Sequence, residues 1–229
     1  MPEVRFDNIG ACVFDAYGTL FDVAAAAERC RAALGEKADP LAALWREKQL
    51  QYTWLRGLMG EHAEFWQVTG DALDYAMAAL SLEDRGLRAR LMDLYLRLDA
   101  YPEVKGVLIR LKDAAIKTAI LSNGSPKMLE AAVESAGIAD LLDAVLSVEE
   151  VGVFKPHPDV YRLGVERLGL PAAEMAFQSA NAWDAAAAAH FGYRVVWINR
   201  FGQPRERIPG IPAAEIDSLD GLAGILGLH

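Results

Sequence analysis

Residues 9–22 read IGACVFDAYGTLFD. Ile9 to Phe14 is a short apolar run of strand-forming residues, and Gly18 sits just beyond it. This pattern predicts a buried strand that ends at Asp15 and passes into a turn. A carboxylate in that position is, on its own, an ordinary capping or solvated group. Thr19 follows closely with a hydroxyl, however, and a carboxylate held there can act as a nucleophile that divides one difficult displacement into two steps.

Outward from this strand the texture changes. VAAAAERCRAAL (23–34), LAALWREKQLQYTWLRGLM (41–59), HAEFWQVTGDALDYAMAAL (62–80) and LEDRGLRARLMDLYLRL (82–98) carry helical spacing, separated by short Gly, Asp, Pro or Ser segments. Four successive helices predict a small helical bundle inserted after the first strand. From about residue 101 the pattern alternates. EVKGVLIRLKDA, SNGSPKMLEAAVESAG, VYRLGVERLG and NAWDAAAAAHFG read as helices; AIKTAIL, AVLSV, MAFQ and YRVVWIN read as strands. That order predicts an α/β fold whose parallel sheet is covered on both faces. The expected division is a discontinuous core of residues 1–20 and 101–229 with a helical cap of residues 21–100. The Pro- and Gly-rich stretch 202–229 needs only a loop and a small terminal helix.

Composition narrows the function classes. The chain has 229 residues, 53% of them hydrophobic, enough for a sizeable core and a subsidiary domain. A net charge of -9, with 23 Lys and Arg against 32 acids, argues against a nucleic-acid surface. No apolar run reaches the ~18 residues of a membrane span, and no signal-peptide pattern opens the chain. Cys12 and Cys30 lie in apolar and alanine-rich surroundings without a CxxC, so buried or half-buried thiols in a reducing cytoplasm are expected. Four histidines without a His/Cys cluster give a metal site little support.

Right-handed crossovers would bring the carboxyl ends of the strands to one edge, where ligands bind in open α/β sheets. Asp15, Ser122, Lys155 and the segment Ser179 to Asp184 fall there or just beyond. Ser122 and Asn123 close a strand before Gly124, a possible anion cradle at a helix start or an ordinary cap and turn. Lys155 is stiffened by Pro156 and Pro158, with Tyr161 on the following helix. Ser179 or Asn181 can cap a helix, and Asp184 suits its first turn. Asp184 near Lys155 could equally hold the amine charged and in place. In the helical insertion, Arg46 stands among Trp45, Tyr52, Trp54 and Leu55, either a pocket wall or simple bundle packing.

Together FDAYGTLFD, LWREKQLQYTWLR, ILSNGSP, KPHPDVY, SANAWD and WINRFG resemble, in order and over nearly the whole chain, the L-2-haloacid dehalogenases of the haloacid dehalogenase superfamily. The resemblance implies a Rossmann-like core under a helical cap, with the active site between them and no cofactor or metal. It implies that Asp15 attacks C2 of a small anionic 2-haloacid, supported by Thr19, and that Arg46 receives the departing halide. By the same resemblance Ser122 binds the substrate carboxylate and Lys155 neutralises the aspartate. Tyr161, Ser179, Asn181 and Asp184 match the remaining polar site residues. Tyr17, Leu50, Phe65 and Trp183 match positions that wall the substrate pocket, and Asn123 is expected to bind the substrate carboxylate beside Ser122. The expected product is the inverted 2-hydroxy acid from the (S) substrate, and the expected assembly is a homodimer.

Two departures stand out: Glu47 where some relatives have glutamine, and Ala180 where many have serine. The same superfamily contains phosphatases, whose DxDGT pattern supplies a second aspartate to protonate the leaving oxygen. Here that position is Tyr17, and a departing halide needs no proton. Dehalogenation is therefore expected over phosphate ester hydrolysis or a non-catalytic binding role on the same fold.

Overall fold

The computed structural model describes residues 4–23 and 31–228. One sheet contains β1 (Ala11–Phe14), β2 (Lys117–Ser122), β3 (Ala144–Ser147), β4 (Met175–Ser179), β5 (Arg194–Ile198) and β6 (Ala214–Ile216). The spatial order is β3-β2-β1-β4-β5-β6, with every adjacent pair parallel. All four β1 residues are fully buried, as expected of a central strand covered on both faces, and this explains the continuous apolar run in the sequence. The chain order reverses between β1 and β4, so the crevice outside their carboxyl ends is the topological switch point.

After β1 the chain turns sharply at Gly18, whose φ of +86° is a left-handed conformation that an L side chain rarely adopts. The insertion then leaves and returns through a narrow backbone neck. Asp22 N–H donates to Asp99 O and Tyr101 N–H donates to Leu20 O, both at 2.9 Å, around an antiparallel bridge between Phe21 and Ala100. Within the insertion are α1 (Ala38–Met59), α2 (Phe65–Ala79) and α3 (Arg85–Tyr95). The first expected cap helix falls largely outside the described residues, as does Cys30; its described end is a short helical turn, Arg31–Leu34.

The buried stripe of α1 runs through Leu41, Trp45, Gln49 and Thr53, spaced every four residues, and packs chiefly on α2. Two of those residues fasten the pair with polar bonds. Trp45 Nε1 donates to Thr69 O at 2.8 Å, and Gln49 Nε2 donates to Thr69 Oγ1 at 2.7 Å. α1 stops at Gly60, again left-handed with φ +71°, while Asp84 caps α3 by accepting the Leu87 N–H at 2.9 Å.

The core helices are α4 (Val104–Asp113), α5 (Pro126–Ala136), α6 (Pro158–Leu168), α7 (Ala182–Phe191) and the short α8 (Leu222–Ile225). Small residues let α7 lie close to β4 and β5, with Ala185, Ala186 and Ala188 buried. One correction concerns the C-terminal stretch, which holds a sixth strand, β6, as well as the terminal helix. β6 is three residues long, with its middle residue Glu215 exposed. It is short and charged, as exposed edge strands tend to be, so it carries no alternation to read.

The core reaches the site region through a tight contact at Gly164. Tyr193 Oη donates to the Tyr161 carbonyl at 2.8 Å, and a Cβ at Gly164 would lie 2.4 Å from Tyr193 Oη. Gly164→Ala should therefore displace Tyr193 and lower stability by about 1–3 kcal/mol, the usual cost of overpacking. Urea unfolding measures this, and an unchanged midpoint would mean that Tyr193 can move without cost.

Candidate active site

The Asp15 N–H donates to Gln178 O at 2.9 Å, which carries the β1–β4 ladder one residue past β1 and sets the carboxylate at the switch point. Asp15 is only 6% exposed. Its two oxygens are held differently. Oδ1 lies 3.1 Å from Lys155 Nζ; Oδ2 accepts from Asn181 Nδ2 at 2.8 Å and from the Thr19 hydroxyl at 3.2 Å. Thr19 is itself fixed, because its oxygen accepts the Ala180 N–H at 2.7 Å. Ala180, which has no polar side chain, thus contributes through its backbone.

Lys155 is buried between two carboxylates, with Nζ 2.8 Å from Asp184 Oδ2 as well as 3.1 Å from Asp15 Oδ1. Its backbone N–H donates to Asn123 Oδ1 at 3.0 Å, which ties the lysine loop to the turn after β2. Burial alone would lower the ammonium's pKa, but attraction to Asp15 and Asp184 outweighs it and holds the group above its ordinary value. Asp184 is fully buried in the first turn of α7, and its Oδ1 accepts from the Tyr161 hydroxyl at 2.7 Å. Burial pushes its carboxyl up and the Asp15 charge adds to this; Lys155 and Tyr161 pull it back without cancelling the rise.

From the insertion, Arg46 reaches the same cluster. One guanidinium nitrogen donates to Asn181 Oδ1 at 3.0 Å and the other to Gln49 Oε1 at 2.7 Å. Asn181 therefore spans the site, its amide on Asp15 and its carbonyl on Arg46. Although it occupies the N-cap position of α7, its side chain makes no cap bond. Gln49 also receives the Tyr95 hydroxyl at 3.4 Å. Neither Gln49 nor Tyr95 stood out in the sequence. The available signal was a glutamine at i+3 from Arg46, on the buried stripe that also carries Leu41 and Trp45.

Around Asp15 closes a small cavity of about 20 Å³, on the order of the room needed by one or two waters. Its polar lining comes from Asp15, Arg46, Ser122, Asn123, Lys155 and Asn181; its walls are Tyr17, Leu50, Phe65 and Trp183. Thr19 and Asp184 stand behind this lining and touch it through hydrogen bonds, and Tyr161 bonds in turn to Asp184. Ser179 does not reach the cavity, and its hydroxyl accepts the Asn181 N–H at 3.1 Å. Ser122 Oγ accepts the Gly124 N–H at 3.0 Å, shaping the turn before α5. Glu47 is exposed on α1, so its charge points away. Among the described residues, no group of three or more His, Cys, Asp or Glu side chains is placed to hold a metal ion.

The haloacid dehalogenase-like hydrolase family matches residues 9–192. The chain belongs to that family. It is 43% identical over 221 residues to (S)-2-haloacid dehalogenase 1 of Pseudomonas sp. (strain CBS-3), covering 96% of this chain and 97% of the relative. A crystal structure of a dehalogenase with intermediate complex superposes with a TM-score of 0.94 at 43% identity, covering 96% and 98%. The L-2-haloacid dehalogenase from Xanthobacter autotrophicus with chloropropionic acid covalently bound gives 0.87 at 40%, covering 93% and 96%.

In this haloacid dehalogenase-like hydrolase an apolar cavity of about 260 Å³ adjoins the small one, sharing Tyr17, Arg46 and Asn181 and lined further by Trp45, Leu91 and Tyr95. Among the described residues no helix is long and apolar enough to cross a membrane.

The buried site also fixes an alkaline limit to stability. Lys155 sits above 10.5 for the reason given, and burial raises Tyr17, Tyr95 and Tyr161 above 10.0. The fold binds these protons more tightly than the unfolded chain does. Their contribution is complete below about pH 10 and is lost as pH climbs through the raised values. Urea unfolding across a pH series should give falling stability above pH ~10, the ordinary tyrosine value. A flat profile to pH ~11.5 would contradict the buried pairing.

Proposed function

We propose that this protein is a 2-haloacid dehalogenase that converts short (S)-2-haloalkanoic acids to (R)-2-hydroxy acids by way of an ester on Asp15. The observation that carries this reading is the placement of Asp15 between two fixed cations, Lys155 on one oxygen and Arg46 across Asn181. An Asp15 oxygen attacks C2, the C2–halogen bond breaks, and its electron pair leaves with the halide on the far side. In this step negative charge moves from Asp15 toward the halide. Lys155, Asn181 and Thr19 solvate it at the start and Arg46 meets it at the end, so the polar groups are arranged before the charge shifts.

Ser122, Asn123 and nearby backbone N–H groups are the proposed seat of the substrate carboxylate. Tyr17, Leu50, Phe65 and Trp183 wall the cavity around Asp15 and exclude water from the first step. Water then attacks the Asp15 carbonyl carbon, which frees the hydroxy acid and restores the carboxylate. Both Asp184 oxygens are taken, one by Lys155 and one by Tyr161, which supports a role in fixing Lys155. Each Asp184 oxygen keeps a second lone pair, so accepting from the attacking water would not require either bond to break. Ser179 belongs to this reading as the residue that shapes the turn carrying Asn181.

Tyr17 supports dehalogenation over phosphate ester cleavage. Two residues after Asp15 it places a buried aromatic side chain, within 6.4 Å of the Phe21, Phe65 and Tyr95 rings, and offers no carboxylate for a metal or a leaving oxygen. The Lys155 ammonium already bridges Asp15 and Asp184. The same reading includes a core of residues 1–20 and 101–229, a cap of 21–100, a homodimer and a cytoplasmic setting; the neck at Phe21 and Ala100 supports the division.

The test is halide release from 2-chloropropionate in EDTA beside release of phosphate from a monoester with and without magnesium, with the hydroxy acid resolved on a chiral column. Halide release that survives EDTA and gives the (R) acid is expected; magnesium-dependent phosphate release alone would overturn the reading. Arg46→Ala should lower kcat by roughly two orders of magnitude, the scale of losing a transition-state donor, while the protein stays folded. Near wild-type kcat would remove Arg46 from the mechanism.

A further inference from the structure

Away from the neck, the insertion and the core are joined by a second polar contact, outside the groups discussed so far. Glu149 lies in the 3-10 turn Val148–Glu150 that follows β3. Its Oε1 accepts the N–H of Phe65 at 3.1 Å, and its Oε2 lies 2.8 Å from His62 Nε2. Phe65 is the first residue of α2, and the preceding Glu64 gives that helix no side-chain cap. An N–H that the helix leaves without an internal partner is thus satisfied by a carboxylate from the core, where the helix dipole also favours negative charge.

The contact bears directly on the reaction cavity. Phe65 is one of its walls, is 1% exposed, and lies 6.2 Å from the Tyr17 ring and 6.2 Å from the Phe154 ring. The His62 ring stacks 4.6 Å from Phe154, the neighbour of Lys155. The His62 and Glu149 side chains are 24% and 21% exposed, so the pair is largely withdrawn from solvent. Next in sequence, Glu150 pairs instead with Arg167 of α6, within the core.

We propose that Glu149 is a positioning residue for the dehalogenase reaction, a latch from the core that seats the cap through His62 and the α2 N-terminus and so fixes Phe65 as a wall of the reaction cavity. The assignment rests on the dehalogenase reading. Charge-assisted bonds to a backbone N–H and an imidazole are strong enough to hold the α2 N-terminus in this place. Neither group touches the reacting atoms, so loss of the latch should weaken substrate capture more than chemistry.

Three variants and two measurements test this. Glu149→Ala removes both arms, Glu149→Gln keeps an acceptor for the Phe65 N–H but loses the charge, and Glu150→Gln is a control one residue away. Glu149→Ala should raise KM for 2-chloropropionate about tenfold, the scale of a lost hydrogen bond to a charged group, with a smaller change in kcat. Glu149→Gln should recover the larger part, and Glu150→Gln should match wild type. Hydrogen–deuterium exchange of the segment 62–69 should speed up in Glu149→Ala and remain unchanged elsewhere. Unchanged KM and exchange would overturn the proposal, as would a uniform rise in exchange with kcat and KM disturbed alike. A wild-type protein that releases no halide would instead defeat the dehalogenase reading, while exchange at 62–69 would still decide whether the latch exists.

Discussion

An ammonium buried between two carboxylates, Lys155 between Asp15 and Asp184, is the constraint on which the remaining architecture depends. Two buried carboxylates this close cannot both stay ionised without a cation, and a buried cation is costly without its partners. Each surrounding element supplies one part of the balance. β1 brings Asp15, the loop before α6 brings Lys155, and the first turn of α7 brings Asp184. Asn123 and Tyr161 fix the positions of the lysine loop and of Asp184. Replacing Lys155 by an apolar residue would leave like charges facing each other, so the same interaction specifies the core and, in the proposed reaction, prepares Asp15.

With Arg46 included, the site holds two carboxylates and two cations, within a chain whose net charge is -9. The two cations balance the two carboxylates, so the proposed anionic substrate does not meet the chain's net negative charge at this site. The cations come from different parts of the fold, Lys155 from the core and Arg46 from α1. Asn181 bonds to Asp15 and Arg46 at once, so the placement of the helical insertion and the orientation of the Asp15 carboxylate are linked through one amide.

Much of this was legible in the sequence because function here follows strand ends. The apolar run before Asp15, the Pro-flanked Lys155 and the turn after MAFQ each mark a boundary, and parallel topology brings those boundaries together. Family resemblance supplied Arg46, whose approach to Asn181 spans 135 residues of sequence and leaves no local trace. Gln49 and Tyr95 were missed because polar residues on an apolar helix stripe look like tolerated exceptions until the partner appears. β6 was missed because three residues with exposed Glu215 carry no periodicity. Ser179 was read both as a possible cap and as a site group, and its hydroxyl bonds within the turn that carries Asn181.

The central claim is that Asp15 itself forms the bond to C2, with water entering only afterwards at its carbonyl carbon. A single turnover of 2-chloropropionate by excess enzyme in 18O-water tests it most directly, with the Asp15-containing peptide and the first product both read by mass spectrometry. The account predicts label in the Asp15 carboxylate and an unlabelled hydroxyl in the first-turnover product. Label in that product, with none in Asp15, would mean that water attacks C2 directly and would contradict it.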